Sequence, residues 1–371
     1  MTLAKERLLP PIALFAANAY ITLRLFHTEF TREMGSIEAA YIGLARYIVA
    51  HFPDLSWFPL WYGGIPFPDS YPPLMHMIAA ALAAAGHLSP GTAYHAVAAL
   101  TFTLMPVALY WTACRLGASR LAAFGACLLY SLFSPSTWLV REIRHDTGGW
   151  FGPHRLIVLV RWGEGPHLVS IVFLILSIGL VHLAMERRTP LRFILAALAV
   201  AATVLSNWIG AFALLLAMSA YLLSGLGRSP WLRAAAIGAY AYALAVPWAS
   251  PGILATIRAN APLVGGKFES GPLHRALAVA FAAGLLLVAW VLKRARWAPR
   301  VRFGLLFVYG AAVIALAGSW FHFRLVPQPE RYHVEMDAAI WLAAALAAAP
   351  LASMVRGSRN RAIAAAALAV V

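Results

Sequence analysis

The run HLVSIVFLILSIGLVHLA, residues 167–184, decides how this chain folds. It contains no Asp, Glu, Lys or Arg, and it is bracketed by Glu164 on one side and Glu186-Arg187-Arg188 on the other. A helix needs about 20 apolar residues to cross a bilayer core about 30 Å thick, so this run reads as a membrane span. Working outward, comparable runs occur at about 8–26, 92–114, 119–140, 191–206, 208–225, 231–248, 274–293, 302–320 and 337–355. They are rich in Ala and Leu, which favour helix, and show no barrel-like alternation. No small-x-small cleavage site follows the first run, so it reads as an uncleaved span. The run at 360–371 stops after about 12 residues, too short to cross, and is expected to be an incomplete helix.

Composition agrees. Of 371 residues, 62% are hydrophobic and only 12% are charged, with a mean hydropathy of +0.74. A soluble domain carries about a quarter charged residues. The net charge of +15 does not point to nucleic acid, because the basic residues sit mostly in short loops between apolar runs, as the positive-inside rule expects. Cys114 and Cys127 lie within apolar runs and match neither a disulfide framework nor a metal knuckle. The expected fold is therefore all-α, a single polytopic transmembrane bundle over 1–371 with about 10–11 spans.

Charge parity assigns the sides. If the apolar run 72–88 does not cross, Lys5, Arg7, Arg115, Arg120, Arg187, Arg188, Arg233, Lys293, Arg294, Arg300 and Arg302 all fall on the cytoplasmic side. Tyr71-Pro72-Pro73 before this run and Gly86-His87-Leu88-Ser89-Pro90 after it are helix punctuation. The run is expected to lie at the outer interface or to dip in and return. Of the 14 acids, only Glu6 and Glu186 then fall inside. The others lie on the extracytoplasmic side, which places candidate chemistry there.

The first extracytoplasmic loop, 27–90, carries a helical pattern over 36–50, with Ile37, Tyr41, Leu44, Tyr47 and Ile48 on one face. Glu38 projects from its first turn and Glu33 lies just before it. Trp57, Trp61 and Tyr62 then surround a Gly63-Gly64-x-Pro66 turn. These aromatics suit a membrane interface and also the apolar face of a sugar ring. The second loop, 141–166, holds His145, Asp146, His154, Arg155, Arg161 and Glu164, with His167 just beyond. Asp, Glu and His together can hold a divalent cation such as Mn²⁺ or Mg²⁺. The spacing matches no tight metal motif, so cation binding stays open, as does a helix-capping role for Glu164 beside Gly165-Pro166. Residues 249–273 read as a Gly-rich loop with Arg258, Asn260 and Lys267. The last loop, 321–336, gathers His322, Arg324, Glu330, Arg331, His333 and Glu335 at a helix mouth. Arginine can grip phosphate there through its fork of donors, or pair with the local acids.

The layout resembles the GT-C superfamily of membrane glycosyltransferases. The likeness runs from the first helix to about residue 340: one span, then a long outer loop with an acid before a helix ending in Ala45-Arg46, then a Pro-Pro helix along the membrane at Tyr71-Pro72-Pro73-Leu74. A second acidic position follows two spans later, at Glu164 or Asp146. The Trp-x-Pro-x-Trp pattern and Arg331-Tyr332-His333 are most similar to uncharacterised bacterial members labelled pyruvoyl-tetrahydropterin-synthase-related membrane proteins. No Asp-x-Asp appears in the second loop, and Glu33 or Glu38 stands where the family has a first aspartate.

The resemblance implies transfer of a sugar from a polyprenyl-phosphate donor, in a bacterial inner membrane, at a site facing outward. Glu38 or Glu33 would be the general base. Arg331, Arg324 or Lys267 would hold the donor phosphate, and His145, Asp146 or Glu164 would form the second acidic or metal site. Trp57, Trp61, Tyr62 and His333 would contact substrate. The acceptor, whether glycan, lipid or protein, stays open, and nucleic acid is not expected as a partner. The alternative is a polytopic transporter or lipid flippase, for which intramembrane polar residues such as Asn18 and Ser206-Asn207 would matter most.

Overall fold

The computed structural model describes residues 2–32, 36–61, 63–227, 230–264 and 271–356. Glu33, Tyr62, Lys267 and the apolar run 360–371 lie outside them. In chain order the helices are α1 (Thr2–Ile21), α2 (Glu38–His51), α3 (Leu74–Gly86), α4 (Pro90–Arg115), α5 (Arg120–Leu132), α6 (Ser136–Leu139), α7 (Arg141–Asp146) and α8 (His154–Val160). There follow α9 (Gly165–Glu186), α10 (Pro190–Ser206), α11 (Trp208–Ser224), α12 (Pro230–Ala245), α13 (Pro251–Val264), α14 (Pro272–Arg294), α15 (Pro299–Phe321) and α16 (His333–Arg356). Two-residue strands β1 (Trp57–Phe58) and β2 (Ile65–Pro66) form an antiparallel hairpin. The protein is all-α apart from this hairpin.

Four helices, α4, α9, α14 and α15, are long and apolar enough to cross a membrane, and the chain is a membrane protein on that ground. α1, α5, α10 and α11 are apolar but shorter. α14 keeps almost all of its apolar surface on the outside of the bundle, with Val279, Leu286, Leu287 and Trp290 exposed. A helix apolar on its outer face is one that lipid covers. α9 is the most enveloped, packed by α4, α10 and α11. On α15, a Cβ at Gly304 would come within 2.9 Å of the Ala343 Cα, so the glycine lets α15 and α16 touch backbone to backbone.

Three boundaries depart from the sequence reading. The apolar run 119–140 is not one helix. α5 stops at Leu132, Phe133 is extended, and α6 begins afresh at Ser136. Pro135 disfavours helix at the residue before it, and the freed Ser134 is used elsewhere: its N–H donates to the Gly152 carbonyl at 3.0 Å, and its Oγ accepts from the His154 N–H at 3.0 Å. The first run ends at Ile21 and tightens into a 3₁₀ turn over Leu23–His27. The region read as a Gly-rich loop contains α13, which places Arg258 and Asn260 on a helix.

Contacts sort the loops onto two ends. At one end Arg233 donates to the Ala184 carbonyl at 2.7 Å and Arg300 donates to the Gly117 carbonyl. At the other, the N-termini of α2, α4, α9 and α16 meet. α3 has 13 residues, about 20 Å of helix, short of a bilayer core. Both its flanks join this second end: Tyr71 accepts from Asn207 Nδ2 at 2.8 Å, and Gly91 packs against the Glu29 carbonyl.

One buried cation braces this end. Arg155 on α8 is fully buried. It donates to the Phe102 carbonyl at 2.8 Å and to Asn18 Oδ1, and it lies 3.7 Å from the centre of the Phe102 ring. Asn18 in turn donates to Ser131 at 2.9 Å, so one hydrogen-bonded chain links α1, α4, α5 and α8. Arg155→Leu leaves Asn18 and the Phe102 carbonyl without their donor. A loss of about 2–5 kcal/mol is expected, read as a lower unfolding temperature and faster proteolysis within 141–166.

Candidate active site

Each wall of the site is placed by a local signal. Ser89 caps α4 by accepting from the Thr92 N–H at 3.1 Å, with Pro90 in the first turn. That start sets Tyr94 and His95 just inside the helix. α9 begins at Gly165-Pro166, directly after Glu164. α16 follows a 3₁₀ turn over Pro329–Tyr332, which holds Arg331 at its mouth. The second-loop segment supplies α7 and α8.

These parts enclose a cavity of about 420 Å³. Its polar wall is Asp146, His154, Glu164, His167, Glu330 and Arg331, and its apolar wall includes Ile37, Ile143, Val158 and Trp162. Glu164 is 4% exposed. One of its carboxylate oxygens accepts from Arg331 and the other, Oε2, has no protein partner. Glu164 is the N-cap residue of α9, yet its side chain makes no capping hydrogen bond; the residue lines the cavity. Behind Glu164, His167 Nε2 donates to Glu335 Oε1 at 2.7 Å, with both side chains buried.

Glu38 is equally buried but is not on the cavity wall. Its Oε1 is 2.9 Å from His95 Nε2 and accepts from Thr31 Oγ1 at 3.2 Å. Gly163 brings it beside Glu164. A Cβ at Gly163 would lie 2.8 Å from the Glu38 Cβ and 2.9 Å from its backbone N, and Gly163 has φ +68, which only glycine adopts freely. The Gly163 carbonyl also accepts from Tyr94 at 3.2 Å.

Of the residues singled out in the sequence, Asp146, Glu164 and Arg331 meet at the cavity, and Glu38 adjoins it. Asp146 pairs with Arg161 at 3.2 Å on the rim. His145 is exposed and is not on the cavity wall. Among the described residues no three His, Cys, Asp or Glu side chains are gathered closely enough to hold a metal ion. Glu164 and Asp146 are each paired with an arginine, which does not fit them to a metal. Arg324 is off the cavity wall; its carbonyl accepts from His274. His333 lies on a neighbouring chamber, its Nε2 2.8 Å from Ser319 Oγ. Trp57 and Trp61 belong to the β-hairpin cluster instead. Trp57 covers Gly64, Trp61 stacks edge-on against Phe58 at 5.6 Å, and Tyr47 donates to the Trp57 carbonyl. His95 is a residue the sequence reading passed over. Its one signal was a histidine next to Tyr94 in an apolar run.

Burial pushes the His154 imidazole down to about 4, and the neighbouring His167 pushes the same way. The group is therefore neutral in the fold at pH 7. Its contribution to stability is whole above about pH 6.5, where the unfolded imidazole is also neutral, and is lost as pH falls from there through about 4. The loss is about 3 kcal/mol at most. Unfolding temperatures of the wild type and His154→Gln, compared at pH 7.5 and pH 5, are expected to show a smaller acid loss in the variant. Equal acid losses would overturn this.

Comparison with protein-family models finds no match to this chain, and comparison with curated proteins finds none either.

Proposed function

We propose that this chain is a membrane glycosyltransferase of the GT-C kind, transferring a sugar from a polyprenyl-phosphate donor to an acceptor on the extracytoplasmic side. The observation that carries this reading is the cavity where a buried acid with a free oxygen, Glu164, is paired with a half-exposed arginine, Arg331. A donor phosphate competes for Arg331 through the same fork of N–H groups that holds the carboxylate. The ends of the bundle agree with an outward site, since the acids gather at the cavity and Arg233 and Arg300 at the opposite end. About ten spans in a bacterial inner membrane belong to this reading.

In the proposed step the acceptor hydroxyl gives its proton to Glu164 as its oxygen attacks the anomeric carbon. The bond from that carbon to the phosphate oxygen breaks, and polyprenyl phosphate leaves on Arg331. Glu164 takes this role rather than Glu38 because Glu164 lines the cavity and Glu38 does not. Glu38 and His95 then position the wall behind it.

The test is a donor panel of polyprenyl-phosphate sugars offered to the full chain in nanodiscs, with and without Mn²⁺ or Mg²⁺. Sugar release or transfer from one donor is expected. Folded protein that neither binds nor turns over any of them sinks the reading.

A further inference from the structure

A second cavity, of about 390 Å³, is enclosed by α9, α10, α11 and α12, toward the end of the bundle opposite the first. Its walls include Val181 on α9, Val200 on α10, Leu214 and Leu222 on α11, and Trp231 and Gly238 on α12. Among the described residues, none on the wall carries a charge or a hydroxyl. From Leu214 to Leu222 the slot follows α11 for about 12 Å. Leu215 and Trp231, also on the wall, are exposed on the outside of the bundle, so the slot opens on the side that lipid covers. An apolar void left empty forfeits the dispersion contacts of its lining, and the matter beside this one in a bilayer is hydrocarbon.

Charge decides which hydrocarbon chain enters. Arg233 adjoins Ala234 of the wall and donates to the Ala184 carbonyl at 2.7 Å. Arg192, in the first turn of α10, donates to the Leu183 carbonyl at 3.5 Å. Two guanidinium groups are thus held against successive carbonyls, about one turn beyond Val181. Each bond uses one of the five N–H donors of an arginine, so both keep donors for a phosphate. Arg187 and Arg188 follow directly and are exposed. None of the four takes part in an ion pair among the described residues. Glu186 is the only acid between residues 165 and 268, so the positive charge is left largely uncompensated.

We propose that this site binds an anionic phospholipid of the bilayer, with one acyl chain in the slot and its phosphate on Arg192 and Arg233. An apolar slot between helices with basic residues at its end has the chemistry of a lipid with a negative headgroup. A zwitterionic lipid fits the slot equally well but brings its own cation to the arginines. The donor of the transfer reading is a different ligand, because Arg331 lies at the other end of the bundle. The site does not depend on that reading, since binding is read at equilibrium without turnover.

The experiment titrates phosphatidylglycerol and phosphatidylcholine of matched chains into the full chain in detergent, with the first bound lipid read by native mass spectrometry. Phosphatidylglycerol is expected to bind at least about fivefold more tightly, the worth of one arginine near an anionic headgroup. Arg192→Gln/Arg233→Gln is expected to abolish that preference. Arg192→Gln alone is expected to lose part of it, which covers failure of the double variant to fold. Gly238→Leu tests the slot, because a Cβ at Gly238 meets nothing within 4 Å and the side chain enters without displacing backbone. It is expected to weaken phosphatidylglycerol at least about fivefold with the arginines in place. Glycerol phosphate, the same charge without chains, is expected not to compete. Equal binding of the two lipids, a preference kept in folded arginine variants, or phosphatidylglycerol affinity unchanged in folded Gly238→Leu would overturn the site. So would full competition by glycerol phosphate, or a second copy of this chain taking the face in place of lipid.

Discussion

Glu164→Gln is expected to lower the rate of sugar transfer by about 10²- to 10⁴-fold, the usual worth of a positioned general base. Glutamine keeps the shape of the side chain and one oxygen for Arg331, but it cannot take the acceptor's proton. The loss should fall on kcat, with donor affinity kept or improved, because Arg331 is no longer held by a carboxylate. Arg331 is partly exposed, so losing its partner leaves a solvated cation and a small change in unfolding temperature. Arg331→Ala should show the converse pattern, with donor affinity falling first. A folded Glu164→Gln protein with kcat within about threefold of wild type removes Glu164 from the base role. If Glu38→Gln alone abolishes transfer, the base is Glu38 and its contact with His95 opens during turnover.

Gly163→Ala is expected to destabilise the protein by about 2–5 kcal/mol and to abolish transfer with it. Two effects add. The residue sits at φ +68, where a non-glycine residue pays about 1–3 kcal/mol. Its new Cβ would lie 2.8 Å from the Glu38 Cβ, 2.9 Å from the Glu38 backbone N and 3.0 Å from Ser36 Oγ. A backbone atom cannot swing aside as the end of a long side chain can, so the start of α2 must move away from the cavity. Gly149→Ala is the control, because a Cβ there meets nothing within 4 Å. Unfolding temperatures within about 1 °C of each other for the two variants would show that the junction of α2 and Gly163 is slack.

Much of the helical structure was legible because its signal is local. A run such as 167–184 has the length and apolarity of a membrane helix whatever surrounds it, and α9 forms there. Ser89-Pro90 marks the start of α4 through a hydrogen bond reaching three residues. The break after Leu132 was missed although Pro135 announced it, because the apolar count on both sides outweighed one residue. α13 was missed because the glycines at 265–266 coloured the reading of the whole segment.

The site is a different matter. That Glu38, Glu164 and Arg331 carry chemistry could be suspected from residue type and from their place beside helix starts. Which of them touch could not. Glu164 meets Arg331 across 167 positions and His167 meets Glu335 across 168, and no spacing rule reaches that far. His95 reads in sequence as an isolated polar residue in an apolar run, and only the packing of α2 on α4 turns it into the partner of Glu38. The sequence by itself determined an all-helical membrane protein whose acids and arginines cluster between particular helices, because hydrophobic length and capping act within a few turns. Only the tertiary structure decided that Glu164 lines the cavity while Glu38 stays off its wall, because that arrangement depends on a glycine without a side chain and on which helix ends pack together.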